Sequence, residues 1–582
     1  TCADGFFNGN ALQLSDDVDL MRGRNHISFG ANWIFNQFDY NDLFQGNGDP
    51  SFNGEFTGSG LADFLLGLTS SFTQGATQQL YLRKNYIGTY VQDDVRLNSR
   101  FNFDAGLRWE PFLPIYNAKP WQTYFSLADF NAGMVSKQFV DAPAGLLFAG
   151  DGIKNYYNAS YADFEPRVGF VWDPKGNGRQ TIRASYSIFY DTPETFYVDR
   201  STNQPPWANN ISLTSPAGGF TDPFLDYPGG NPFPLPSPPT STFVFPPEGI
   251  YVNFPQNLHP TYMQQWDLSW QRQFANNWMV SATYIGNRTI HLWGGTEQDP
   301  AVFLTAAQCA AAGISASTCQ STKSTNQRRV FALQNPVQGP KIATMALTWD
   351  GASASYNGVI LSTQHRFSKN YTLLFNYTYS HCLSDTDFTG ELTGPSVQDP
   401  YDPNADYGNC GFDLRHNLVA SLVATSPKFS NVWANRLLSN WQLSPIISYR
   451  SGLWFNPTTG TDRSLTGINN DRPDLVSQPY VTNTSTRLWL NPSAYIPNTL
   501  GTFGNVGRDS VVGPSYFDID ADLSRFFRIR ENQRLELRFE FFNLGNNVNF
   551  HNPTSSLKSS NFGKILGAND PRILQFALKY YF

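Results

Sequence analysis

The segment "RLELRFEFFNL" constrains the whole chain. Leu535, Leu537, Phe539 and Phe541 alternate with Arg534, Glu536, Arg538 and Glu540, so an extended strand has one wholly apolar and one wholly charged face. The same period of two sets Phe101, Phe103, Ala105, Leu107 and Trp109 against Asn102, Asp104, Gly106, Arg108 and Glu110, and Phe517, Ile519, Ala521 and Leu523 against Asp518, Asp520 and Asp522. It recurs in the terminal "RILQFALKYYF", where Leu574, Phe576, Leu578, Tyr580 and Phe582 share one side. Charged faces cannot point into a dry core. They can face water in an antiparallel sheet, but the apolar face then needs a covering layer, and the sequence offers no helical segments for it. Lipid can be that layer if the sheet closes so that no edge is left unpaired.

Composition supports this reading. Charged residues make up 15% of the 582, against roughly 25% in ordinary soluble domains, yet aromatics also reach 15%. Mean hydropathy is -0.37. No apolar run approaches the roughly 18 residues of a helical span, the longest candidate being "GLADFLLGL" at 60–68. A polar, aromatic-rich chain without helical spans fits two-faced membrane strands. A net charge of -7 argues against nucleic acid as a partner, because phosphate binding needs a basic face.

Between the alternating segments, tight hairpin links at 23–25, 98–99, 174–178, 275–277, 368–370 and 530–533 alternate with long stretches rich in Gly, Pro, Asn and Asp, at 41–84, 112–161, 192–261, 294–356, 383–414, 453–515 and 545–571. Loops of that length count against a compact soluble domain. Short periplasmic turns and long external loops are the pattern of an outer-membrane barrel. Trp33, Phe35, Trp109, Tyr186, Tyr190, Tyr377 and Tyr379 are expected near strand ends, at the membrane interfaces. A propeller should repeat every 40 to 50 residues or so, and no such repeat is visible.

Cys309 and Cys319 bracket "AAAGISAST", and Cys382 and Cys410 bracket a Gly/Pro/Asp-rich segment. Two local disulfides in an oxidising space are the expectation, with free structural thiols the alternative. Cys2 is left over, and the opening residues carry neither a starting Met nor a signal segment; the reading is a mature chain or a fragment.

Catalytic patterns are missing: no G-x-S-x-G elbow, H-E-x-x-H, Walker loop or C-x-x-C occurs. The expectation is therefore no enzyme and no cofactor. His291, His365 and His416 are read as rim residues beside strand ends, without a second ligand at metal spacing. Asp385, Asp387 and Glu391, with Asp399, Asp402 and Asp406, gather carboxylates in one external loop; solvated charge is preferred over a hard-cation site because the spacing is not that of an EF-hand.

Three stretches then suggest a family. "YVQDDVRLNSRFNFDAGLRWEPFLPIY" (90–116), "ADYGNCGFDLRHNLVAS" (405–421) and "FEFFNLGNNVNFHNP" (539–553) resemble the barrel of TonB-dependent receptors, especially the Oar-like branch, across essentially the whole chain. The resemblance implies a plugged barrel of about 22 strands driven through the TonB complex. Residues 1–582 would be its barrel domain, truncated at the N-terminus, with plug and carboxypeptidase-regulatory-like domain absent. The fold expected is all-β, a transmembrane antiparallel barrel of outer-membrane type comprising about the last fifteen strands. Phe576, Leu578, Tyr580 and Phe582 would carry the signal read by the barrel-assembly machinery, pairing as an added strand. Asp518, Asp520, Asp522, Arg534 and Arg538 would face the lumen and contact a plug. Import of an unidentified solute across the outer membrane is the function implied; a surface protein whose loops bind a polymer or partner is the alternative.

The strand count has a geometric consequence. With about fifteen strands the first and last run the same way, so antiparallel closure is impossible and an open sheet is expected, with edges near 12–21 and 572–582.

Overall fold

The computed structural model describes all residues except 1–4, 44, 194, 203, 209, 235–237, 276, 369, 388–396, 470 and 482–486. Fifteen long strands form one antiparallel ladder: β1 (Gly5–Arg22), β2 (Asn25–Asp42), β3 (Gln78–Asn98), β4 (Phe101–Trp109), β5 (Phe164–Trp172), β6 (Gln180–Tyr190), β7 (Tyr262–Phe274), β8 (Trp278–Glu297), β9 (Ile342–Ser368), β10 (Tyr371–Ser384), β11 (His416–Thr425), β12 (Trp441–Arg450), β13 (Tyr516–Arg530), β14 (Gln533–Phe542) and β15 (Ile573–Tyr581). Each pairs with its neighbours in sequence. Among the described residues no ladder joins β1 to β15. Among the described residues no helix is long and apolar enough to cross a membrane.

Register keeps the two faces apart. Leu537 lies opposite Leu578 and Phe539 opposite Phe576, while Asp522 lies opposite Glu540 and Ser524 opposite Arg538. Because the side-chain period is two, a slip of one residue would exchange these sets. Trp109 and Tyr190 end their strands, but Trp33 and Phe35 sit in the middle of β2, because that strand is longer than a membrane crossing of about ten residues requires.

The tight links have clear causes. Gly23 turns at φ +64 and Asn370 at φ +70, a region open to Gly and tolerated by Asn. In the 173–179 link the Asp173 carboxylate accepts from the N–H groups of Lys175, Gly176 and Gly178 at 3.2, 2.9 and 2.7 Å. A seventh inner link departs from the sequence reading: residues 426–440 carry a short helix, Val432–Leu438, whose first N–H groups are capped by Asn431. It is long because it folds locally, which a search for tight turns does not find.

The long connections are largely irregular in backbone, as expected, yet they hold the buried core. Phe125, Phe130, Phe139, Phe148, Phe331 and Tyr251 form one cluster, and Tyr156, Tyr157, Phe254, Leu80 and Leu82 belong to another. The aromatics of the composition are therefore divided between a lipid-facing wall and a packed outer layer.

Candidate functional site

The inner wall is built by alternation. In β2, β3 and β4 the residues Asn32, Tyr86, Tyr90 and Arg108 fall on one face. Arg108 Nη2 donates to Asn32 Oδ1 and to the Tyr86 hydroxyl, both at 2.8 Å, and pairs with Glu110. Tyr90 donates to Asp17 at 2.8 Å. On the opposite flank Arg538 meets Asp522 at 3.1 Å and Glu540 at 2.9 Å. Asp518 accepts from the Tyr516 hydroxyl at 3.2 Å, and Asp520 from the N–H of Asn543 at 3.0 Å. Arg534 is not drawn into this set; its guanidinium lies over the rings of Phe526 and Tyr581 at 5.1 and 4.6 Å. Toward the short-link end, Arg179, Arg183 and Arg366 line one recess with Gln271 and Gln273, and no carboxylate is among its lining. The wall thus offers charge-paired clusters on its flanks and a basic patch between them.

In the outer layer, disulfides join Cys309 to Cys319 and Cys382 to Cys410, with Cα–Cα distances of 5.8 and 5.5 Å. The first closes a helical turn begun at Ala306 under a Thr305 capping box. The second ties β10 to the following connection, where the carboxylates singled out in the sequence need a correction. Asp385 and Asp406 are buried, not solvated. Asp385 accepts from the N–H and hydroxyl of Ser353 at 2.7 and 3.0 Å. Asp406 pairs with Arg472 at 2.6 Å and Asp387 with Arg508 at 3.2 Å. Burial pushes the carboxyl of Asp385 up and that of Asp509, beside Arg508, up to about 6. Asp399 accepts from Tyr401 N–H, and Glu391 lies outside the described residues. Arg472 reaches Asp406 across 66 residues of chain and Arg508 reaches Asp387 across 121, so no local spacing could have announced them.

The histidines need a second correction. His365 stacks on Tyr371 at 4.2 Å and His416 accepts from or donates to the Tyr377 hydroxyl at 2.8 Å. His291, however, lies within β8 and not at its end, and the fold brings His259 and Asp350 to it, with one ligand atom from each residue within 4.8 Å of the others. The separations along the chain, 32 and 59 residues, hid this group.

On β15, Phe576, Leu578 and Tyr580 share an exposed face with the terminal Phe582. Tyr581, on the other face, donates to Glu536 at 2.5 Å.

Comparison with curated proteins gives no match. Among solved structures, the chain is similar to the FrpB iron transporter of Neisseria meningitidis (9% identity, TM-score 0.45, 99% of this chain on 55% of that one) and to the outer membrane transporter YddB of Escherichia coli (11%, 0.48, 99% on 53%). It is also similar to the copper transporter OprC (9%, 0.45, 99% on 57%). The chain thus spans about half the length of these structures. Residues 2–575 match the family model of the outer membrane beta barrel domain. With nearly every residue inside that match, the chain belongs to the outer membrane β-barrel domain family, and its place is the cell outer membrane.

Proposed function

We propose that residues 1–582 form the barrel wall and outer loop layer of a TonB-dependent importer, in which a plug domain of the same parent protein fills the lumen and engages the TonB complex. The observation that supports this is the inner wall: charged and amide side chains run along it, and Arg538 holds Asp522 and Glu540, while Arg179, Arg183 and Arg366 leave a patch without carboxylates. A wall of this kind suits a polar domain or solute in the lumen, and Asp518, Asp520, Asp522, Arg534 and Arg538 are assigned to contact the plug. The transported solute is an external small molecule or complex first met by the outer loops.

The test compares medium depletion by cells with and without the parent gene, each with TonB present or depleted. An importer leaves the same solute unconsumed when either is removed. If gene loss abolishes surface binding of a polymer while solute depletion is unchanged with TonB present or absent, the chain is a surface receptor instead. The disulfide-tied loop layer is the feature that favours that second reading.

We also assign Phe576, Leu578, Tyr580 and Phe582 to recognition by the barrel-assembly machinery, through strand addition at the β15 edge. Deleting Phe582 in the full-length protein is expected to lower the amount of heat-modifiable barrel in the outer membrane several-fold. Unchanged barrel would reject the assignment.

A further inference from the structure

We infer that His259, His291 and Asp350 form a binding site for a borderline divalent transition-metal ion, Cu²⁺, Zn²⁺ or Ni²⁺, at the outer end of the β7–β8–β9 ribbon. The inference does not depend on whether the barrel transports.

Position is the first support. The β8–β9 ladder shifts register between Ile290 and Leu292 and again between Leu292 and Gly294. Such bulges re-aim side chains and gather near functional sites. His291 sits in the first of them at φ +56, a left-handed conformation that strains a β-carbon-bearing residue and marks positions the surroundings hold in place. The strain brings the imidazole beside the loop residue His259, the two rings lying 4.6 Å apart and 17° from parallel.

Hydrogen bonding is the second support. His291 Nδ1 faces the backbone carbonyl of Asp350 at 3.1 Å. A carbonyl only accepts, so Nδ1 carries the proton and Nε2 keeps its lone pair, the arrangement that orients metal-binding imidazoles. Asp350 Oδ2 lies 2.7 Å from His259 Nδ1 and accepts from the His259 N–H at 2.8 Å. Trp293 Nε1 fixes the His259 carbonyl at 2.8 Å, and Thr261 fixes that of His291 at 2.7 Å. Backbone on both sides is therefore pinned while the His259 ring stays exposed.

Distance and donor type decide the ion. Metal–nitrogen and metal–oxygen bonds of about 2.0–2.2 Å put tetrahedral ligand atoms about 3.3–3.5 Å apart. The three ligand atoms, within 4.8 Å of one another, close that gap by a turn of the exposed His259 ring. Two imidazoles and one carboxylate suit Cu²⁺, Zn²⁺ and Ni²⁺ and not the all-oxygen preference of Mg²⁺ or Ca²⁺. Three protein ligands leave a position open for water or for a donor on an incoming molecule.

The full chain, folded in detergent, is titrated with CuCl₂, ZnCl₂, NiCl₂ and MgCl₂ by calorimetry, and the Cu²⁺ form is examined by electron paramagnetic resonance. One equivalent is expected, tightest for Cu²⁺, with hyperfine coupling from two imidazole nitrogens and no heat from Mg²⁺. His259→Ala, Asp350→Asn and His291→Gly should each weaken binding at least tenfold, and each histidine variant should leave one coupled nitrogen. His291→Gly keeps the test clean, because glycine adopts the positive φ without strain and the barrel is expected to stay folded. Failure of all three transition metals to saturate, or wild-type affinity and two-nitrogen coupling in folded His291→Gly, overturns the site.

Discussion

In the wall, Leu537 and Phe539 face outward opposite Leu578 and Phe576, and the last two are 66% and 67% exposed; in the loop layer Phe130 and Phe331 are 0% and 2% exposed. Both regions use the same residue types, but the wall needs lipid to cover its apolar face, whereas the loop layer covers its own, each buried Phe contributing roughly 1.5–3 kcal/mol. Their polar groups divide likewise. Arg538 of the wall pairs with Asp522 on the neighbouring strand, whereas Arg472 of the loop layer pairs with Asp406 across 66 residues of chain. The wall is thus a local, repetitive structure completed by its solvent, and the outer layer is a globular structure completed by its own chain.

If the two are separate cooperative units, damage to one should spare the other. Phe331 packs on Phe125 and Phe130 at 5.3 and 4.6 Å between ring centroids. Phe331→Ala is expected to cost the loop layer about 3–5 kcal/mol. Limited proteolysis should then cut within 298–341 while heat-modifiable migration of the barrel is retained. Loss of both together would merge the units. A somewhat smaller effect tests the wall. Leu537→Arg places a charge on the lipid face and is expected to cost about 2–4 kcal/mol in vesicle unfolding, while Gln575→Arg, on the opposite face, should cost well under half of that. Equal losses would mean that the faces are wrongly assigned.

How far the sequence could be read follows from the same division. The wall was legible because each strand states its own two-residue period: the alternations at 101–110, 516–523 and 534–541 named β4, β13 and β14 without knowledge of the partner strands, and the strand count followed. The 426–440 link was missed because its seven-residue helix has no tight-turn signature. The loop layer was not legible, since its contacts are non-local. Nothing near Asp406 announces Arg472, and nothing near His291 announces His259 or Asp350. The cysteine pairs were the exception, because short separation along the chain itself suggested each partner.

The smallest effect expected separates the regions by pH. Asp299, just beyond β8, is buried in the loop layer. Its Oδ1 accepts from the Phe331 N–H at 2.8 Å, its Oδ2 has no hydrogen-bond partner among the described residues, and burial pushes its carboxyl up to about 7 from the ordinary 3.8. The folded loop therefore holds this proton more tightly than the unfolded loop does. Where the folded state binds more protons, stability falls as pH rises, so the contribution is complete below about pH 4, declines through the interval up to about 7 and is flat above it. Water entering on ionisation relieves much of the burial cost, and a change of about tenfold in loop opening, about 1.4 kcal/mol, is expected. Hydrogen exchange of residues 298–341 should be slower at pH 5 than at pH 8 after correction for intrinsic rates, with the wall strands unchanged. Asp299→Asn keeps the acceptor to Phe331 and has no proton to lose, so it should flatten the profile. A pH dependence that persists in this variant would move the titration to another group, and one that also appears in β13 and β14 would show that the wall and the loops open together.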